Sequence, residues 1–422
     1  MVKIRINESQ YNMLLLSEEN NNAFDRKKVN GDNMKAIWAE IDRKQKELHN
    51  NLFGELSDKL YDITIEKAKA MGDKYLRVPN TICTAGNDKL PENVLIINMS
   101  SSLMCPSFYL GLCTIKNGAC YAQRDENRLT NTVTPNRWQT DLMHTQMLQQ
   151  YKSGNKNAFR IYFGLIEKYI QLANAYSENL YKKELARINR QYLKLYKREM
   201  TENEKNVLKI QYMKHKISDV RLNETGDFQC QLAVDLWTKF AIKIKKKYDI
   251  NTHAYTARNL DFSNASKHMA INPSHKGINV GSYNTRMFKA VDDSKFNSLE
   301  WCELNGNQPI LKVDDKGVYY YKCPCDNNNT KCDECGVCFA KNETGKPYTI
   351  FVKYHGITAA NGLKSLFKKD EVSNVIERLY ANGWITDDEY ANYNSEANQS
   401  HLDRLSSKID IMRANSKEKS KK

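Results

Sequence analysis

Three cysteines fall within sixteen residues at Cys105, Cys113 and Cys120, directly after the apolar run Val94–Met99. Five more fall within sixteen residues at Cys323, Cys325, Cys332, Cys335 and Cys338. Thiolates are soft ligands that select zinc, copper or iron–sulfur clusters over hard cations. The first set has three members, so it needs either a remote fourth ligand or a coordination position left open to a small molecule. The second has a C-x2-C-x2-C core, which resembles ferredoxin-type ligation of a four-iron cluster. Zinc sites more often use two C-x2-C knuckles separated by a longer loop. The reading is an iron–sulfur centre with zinc as the alternative, ligated by Cys332, Cys335, Cys338 and either Cys323 or Cys325.

A third feature is the turn Asn223-Glu224-Thr225-Gly226-Asp227 at the end of a strand-like run. Gly226 would let backbone approach a ligand, and Asp227 or Glu224 could accept hydrogen bonds from an amine or a ribose hydroxyl. Arg258 and Arg286 could pair bidentately with a carboxylate or phosphate, or bridge surface acids. His355, before Gly356, is the leading histidine for a proton-donating or ligating role, and His275 could contact substrate. His253 and His268 read as packed or surface histidines. Cys83, Cys230 and Cys302 read as small apolar residues, with a redox role open for Cys230 beside the Gly-Asp turn. No P-loop, dinucleotide glycine fingerprint, G-x-S-x-G elbow or H-E-x-x-H motif is present, so hydride transfer, nucleotide hydrolysis and serine or zinc-protease chemistry have no support.

The elements that must position these residues alternate in type. Strand-like runs at 94–99, 219–223, 251–256, 268–272, 278–283, 309–313, 318–322 and 348–354 are interleaved with helical ones, as at Gln231–Tyr248. Thr134-Pro135 opens a helix to about Lys152, with Thr134 as N-cap. The expected fold is α/β: a partial (β/α) barrel with inserted and flanking helices and a small C-terminal cysteine-rich metal module. Its divisions are an N-terminal helical layer (1–77), the barrel-like core (78–300) with a helical hairpin inserted at 157–216, and the cysteine-rich module (301–356). C-terminal helices (357–415) and a disordered basic tail (416–422) follow. The later, closely spaced strands read as hairpins.

The chain has 422 residues, 64 Lys+Arg against 50 Asp+Glu and a net charge of +14. That balance favours a polyanionic partner, nucleic acid first. The eleven cysteines are an odd number and argue against a disulfide framework. No secretory pattern or membrane-length apolar run is present, so the expected location is cytoplasmic, with no membrane partner.

Asn98-Met99 through Cys105-Pro106, Cys113 and Cys120-Tyr121-Ala122, then Thr225-Gly226-Asp227-Phe228, Trp237, Ala254-Tyr255-Thr256, Cys323-Pro324, Cys332, Cys335, Cys338 and His355-Gly356, resemble the phage gene product 88 family. The resemblance implies a bacteriophage origin, hence the host bacterial cytoplasm, and supplies no activity. A more distant resemblance is to radical S-adenosylmethionine (SAM) enzymes. It implies a four-iron cluster on Cys105, Cys113 and Cys120, the last followed by an aromatic residue, Tyr121. It further implies SAM held near Gly226, Asp227, Glu224 and Arg258, an auxiliary cluster downstream, and an electron donor such as a host flavodoxin or ferredoxin. The spacing here is C-x7-C-x6-C, where that superfamily has C-x3-C-x2-C. The function expected is therefore a radical-SAM-like enzyme acting on a nucleic acid, nucleotide or other host or phage substrate, with His355 and Asp227 as catalytic candidates. The alternatives are a non-enzymatic, zinc-stabilised nucleic-acid-binding phage protein or a structural phage protein.

Overall fold

The computed structural model describes residues 83–87, 89–99, 105–112, 122, 133–212, 216–274, 278–281, 286–306, 308–327, 330–340, 344–353 and 369–419. The expected N-terminal helical layer lies outside these, as do the tail's last three residues; residues 416–419, expected as disordered tail, instead belong to the last helix. In chain order the elements are β1 (Thr84–Ala85), β2 (Val94–Ile97), α1 (Pro106–Tyr109), α2 (Val133–Lys152), α3 (Asn157–Tyr196), α4 (Glu202–Tyr212), β3 (Asp219–Leu222), α5 (Gln231–Tyr248), β4 (Asn251–Thr256) and β5 (Ala270–Pro273). They continue with β6 (Arg286–Val291), α6 (Asp293–Ser298), β7 (Glu303–Asn305), β8 (Gln308–Ile310), β9 (Lys312–Val313), β10 (Tyr319–Lys322), α7 (Cys332–Cys335), β11 (Tyr348–Lys353), α8 (Lys369–Ala381), α9 (Asp387–Tyr393) and α10 (Glu396–Lys419).

The first sheet has the order β1-β2-β3-β4-β5, with β2 through β5 parallel and β1 antiparallel at the edge. Parallel neighbours require crossovers long enough to hold a helix, and α5 supplies the one between β3 and β4. Side chains alternate across these strands. Leu95, Ile97, Val220 and Leu222 enter a core with Trp237, Phe240 and Ile244 of α5 and Ile161, Phe163 and Ile166 of α3. Full burial of each such side chain stabilises the layer by roughly 1.5–3 kcal/mol. The opposite face carries Val94 and Ile96, against which Cys332 and Phe339 pack.

The second sheet has the order β6-β11-β10-β9, parallel except for β9. Here the expected run of hairpins is corrected. Among the described later strands, β7–β8 and β9–β10 alone pair antiparallel, whereas β11 inserts between β6 and β10. The strand expected at 278–283 is reduced, among the described residues, to a single bridge between Asn279 and Asp261. Strand β6 carries no clean alternation of apolar and polar residues, and it was not expected. The helix at Gln231–Tyr248 and the strand at Asn251–Thr256 have the expected limits. Helix α2 begins one residue before its expected cap, at Val133. Between β2 and β3, residues 157–212 include the helical pair α3–α4.

Helix α3 lies along α5 in the same direction. The Phe163 ring meets Trp237 and Phe240 at 4.7 and 4.8 Å, Lys247 donates to Glu167 at 2.6 Å, and Gln171 donates to Tyr248 at 2.7 Å. Burial pushes the Glu167 carboxyl up, but hydrogen bonds from Lys243, Lys247 and Tyr248 outweigh it and hold the pKa at about 2. Among the described residues no helix is long and apolar enough to cross a membrane.

Candidate thiolate centre and the C-terminal strand ends

Strands β2, β3 and β4 are tied together at their C-terminal ends. Gly226 sits at φ +76°, and a Cβ there would come within 2.8 Å of the Met99 Cβ, so only glycine lets the turn after β3 close on the end of β2. The closure is made by Met99 N–H to Thr225 O (3.1 Å) and the Thr225 hydroxyl to Met99 O (2.8 Å). Gly226 thus serves backbone approach between strands.

Asp227, expected as a catalytic or SAM-binding carboxylate, is instead the knot of this junction. Its Oδ2 accepts from the Ser107 hydroxyl (2.7 Å) and the Ala257 amide (2.8 Å); its Oδ1 accepts from the Thr256 hydroxyl and the Phe228 amide, both at 2.8 Å. Burial pushes its pKa up, and the donors around it pull against that. With four donors on two oxygens and 4% exposure, the group faces protein rather than a substrate. Ser107 lies in the first turn after Cys105, so this bond fixes where the first cysteine loop leaves the sheet. Cys105 is buried there. Cys113, Cys120, Tyr121 and His355 lie outside the described residues.

Arg258 is corrected in the same way. Its Nε and Nη2 grip both oxygens of Glu389 (2.8 and 2.7 Å), Nη1 donates to the carbonyls of Phe228 and Gln229 (2.6 and 2.7 Å), and Nη2 also donates to Trp384 O (2.9 Å). All five N–H donors are used within the protein. The guanidinium, 0% exposed, straps the C-terminal helices to the junction. Glu224 stays half-buried at the edge, held by Asn87, by Asn98 at 3.0 Å and by Arg221 at 3.7 Å.

The second cysteine run packs against the other face of the first sheet. The Cys323 amide extends the β10–β11 ladder to Phe351 O (2.9 Å), and the Cys332 amide donates to Lys89 O (3.3 Å). Cys325 lies on the short 3-10 turn Pro324–Asn327. Cys332 and Cys335 lie on one turn of α7, closed by Gly336 in the left-handed region at φ +66°. The Cys325 thiol contacts those of Cys323, Cys332 and Cys335. These contacts push Cys325 up as the shared proton donor and Cys332 down; Cys335, hydrogen-bonded by Cys325, falls to about 6. The Tyr321 hydroxyl lies 3.5 Å from the Cys335 sulfur. Among the described residues, no group of three or more His, Cys, Asp or Glu stands ready to hold a metal ion. The chemistry of the donor set nevertheless fits one, because four thiols that share protons can lose them to a thiophilic metal.

Cys338 packs in the same apolar cluster as these four but has a further partner. It is paired with the Tyr255 hydroxyl, and burial pushes its thiol up to about 12. Its carbonyl accepts from Asn272 (3.1 Å) and Arg286 (3.3 Å), and Arg286 also donates to Val337 O (2.5 Å). Arg286, read from sequence as a carboxylate or phosphate partner, is a strap for the cysteine segment. His253, as expected, is packed: it is 0% exposed and stacks on Phe339 at 4.2 Å. Tyr255 and Thr256, part of the resemblance, carry no role of their own from sequence, nor does Ser107. The strand period of two, which puts Tyr255 on the face of His253, was the available signal for the first.

Comparison with known proteins finds no matching family model, no matching curated protein and no matching solved structure.

Proposed function

We propose that the chain is an iron–sulfur protein with radical-SAM-like chemistry, acting on a nucleic acid, a nucleotide or another host or phage substrate. In this reading Cys323, Cys325, Cys332 and Cys335 form a closed four-thiolate centre. The loop opened by Cys105 supplies the open one, with Cys113 and Cys120. The observation that carries the reading is the junction at Asp227: parallel strand ends locked together at the point where the first cysteine loop emerges. In α/β folds, ligands bind outside the carboxyl ends of the strands. Strands β2 to β5 follow one another in sheet order, with β6 beside β5, which fits part of a (β/α) barrel.

The cluster would supply one-electron reduction of SAM, drawing on a flavodoxin or ferredoxin of the host, and 5′-deoxyadenosine is the product to seek. The chain's own residues would do the rest. The backbone at Gly226 and the carboxylate of Glu224 line the junction's rim, while Asp227 and Arg258 keep that rim rigid from behind. Anaerobic reconstitution with iron and sulfide, then dithionite and SAM, tests the proposal. 5′-Deoxyadenosine from the native chain and none from Cys120→Ser is expected; product at equal rates from both overturns it.

One observation favours a second reading. A set of four protein thiols leaves no coordination position open, as in structural zinc sites. With the net charge of +14, this fits a zinc-stabilised nucleic-acid-binding protein. Colourless protein with stoichiometric zinc and no sulfide would select it.

A further inference from the structure

The α3–α4 hairpin leaves the body of the protein. The Asn174 side chain receives the amide of Ile217 at 2.8 Å, two residues before β3 begins. Helix α3, running with α5 from the C-terminal towards the N-terminal strand ends, continues past Asn174 for 22 residues, or about 33 Å. Its tip is a built structure. Lys197 takes the left-handed conformation at φ 54°, Arg198 grips Glu204 with two bonds of 2.8 Å, and the Met200 amide donates to Asn189 at 3.0 Å. Met200 and Leu208 are buried between the two helices.

The outward face of this arm is basic along one line. Lys183, Arg187, Arg190 and Lys194 recur at steps of four, three and four, which places them within a sector of about 60° on the helix, and Lys197 caps its end, so the five cover about 21 Å of length. All five are exposed. Leu185, Ile188 and Tyr192 lie on the opposite side of the helix. Arg187 is shared with Glu184 at 2.7 Å, and Arg198 is committed to Glu204. Residues 157–216 hold 13 Lys+Arg against 6 Glu, which is half of the chain's +14. A solvated helix usually interleaves both signs on its exposed face; this one keeps a single sign on one line.

We propose that this stripe is a docking surface for the phosphate backbone of a polymeric nucleic acid. Duplex DNA carries one charge per roughly 1.7 Å of axis, so the stripe spans about a dozen phosphates. It lies beyond the N-terminal edge of the first sheet, away from the Asp227 junction. A mononucleotide at that junction could not reach it, whereas a polymer could. The inference holds whether the thiolate centre carries iron or zinc.

The test is binding of a 25-base-pair duplex and the matching single strand to the full chain across a salt series. Four cations engaged on the duplex give a slope of log K against log salt near −3.6, or about 150-fold weaker binding between about 50 and about 200 mM. Changing Lys183, Arg190 and Lys194 together to Gln should remove about 2.7 from that slope. The neutral set Lys246→Gln, Lys289→Gln and Lys316→Gln, elsewhere on the surface, should leave it unchanged. Circular dichroism matching the native protein shows that either set folds, and each change can be made singly if a triple variant does not. Equal losses from both sets, an unchanged slope in the arm variant, or binding to anionic vesicles with none to either nucleic acid overturns the proposal. The 5′-deoxyadenosine assay reads the other proposal separately.

Discussion

Replacing Arg258 by Met removes the strap between the C-terminal helices and the strand junction while keeping similar bulk. Glu389 would then be left 5% exposed with its main partner gone. Breaking a buried pair on one side costs about 3–5 kcal/mol. The carbonyls of Phe228, Gln229 and Trp384 lose charged donors as well, each worth on the order of 1 kcal/mol. These losses overlap, so a total near 4–6 kcal/mol is expected. Thr386 softens the loss, because its amide still donates to Glu389 at 2.9 Å in the capping box that opens α9. Guanidinium chloride unfolding followed by far-UV circular dichroism measures the change, with an unaltered slope showing that the folded state is otherwise intact. A double-mutant cycle with Glu389→Gln should give a coupling of about 2 kcal/mol or more. A cost below about 1 kcal/mol for Arg258→Met, or zero coupling, would refute the strap and reopen Arg258 as a ligand-facing residue.

Gly226→Ala should destabilise by about 2 kcal/mol or more, because it combines a left-handed backbone with a Cβ at 2.8 Å from Met99; thermal melting checks it, and a shift under 2 °C contradicts it. His144 is buried and accepts from the Trp237 indole at 3.0 Å, and burial lowers its pKa to about 3. The unfolded chain takes that proton near pH 6.5 and the folded one does not, so stability should fall as pH drops from about 6.5 towards 3, by up to about 4 kcal/mol. His144→Gln should flatten that part of the stability–pH curve.

The parallel core was legible wherever one residue pattern served one environment. Val94–Ile97 is apolar throughout because both of its faces are covered, and Gln231–Tyr248 shows a clean stripe because one face meets the sheet. Strand β6 was not legible, since its partner β11 lies some sixty residues away and its own side chains follow no single face. The cysteine cluster announced itself, but its membership did not. A C-x2-C-x2-C run favours Cys338 as a ligand, whereas the β10–β11 ladder and the 3-10 turn bring both Cys323 and Cys325 to the α7 thiols, and Cys338 also pairs with Tyr255. Asp227 was visible as a Gly-Asp turn. Its role was hidden because Ser107, Thr256 and Ala257 lie 120, 29 and 30 residues away.

Iron, sulfide and zinc analysis of anaerobically purified protein, native and with Cys325→Ser or Cys338→Ser, goes most directly to the centre of the account. Iron and sulfide near eight of each per native chain are expected, falling by about half in Cys325→Ser and unchanged in Cys338→Ser. Zinc without sulfide, or a centre lost with Cys338 and kept without Cys325, would contradict it.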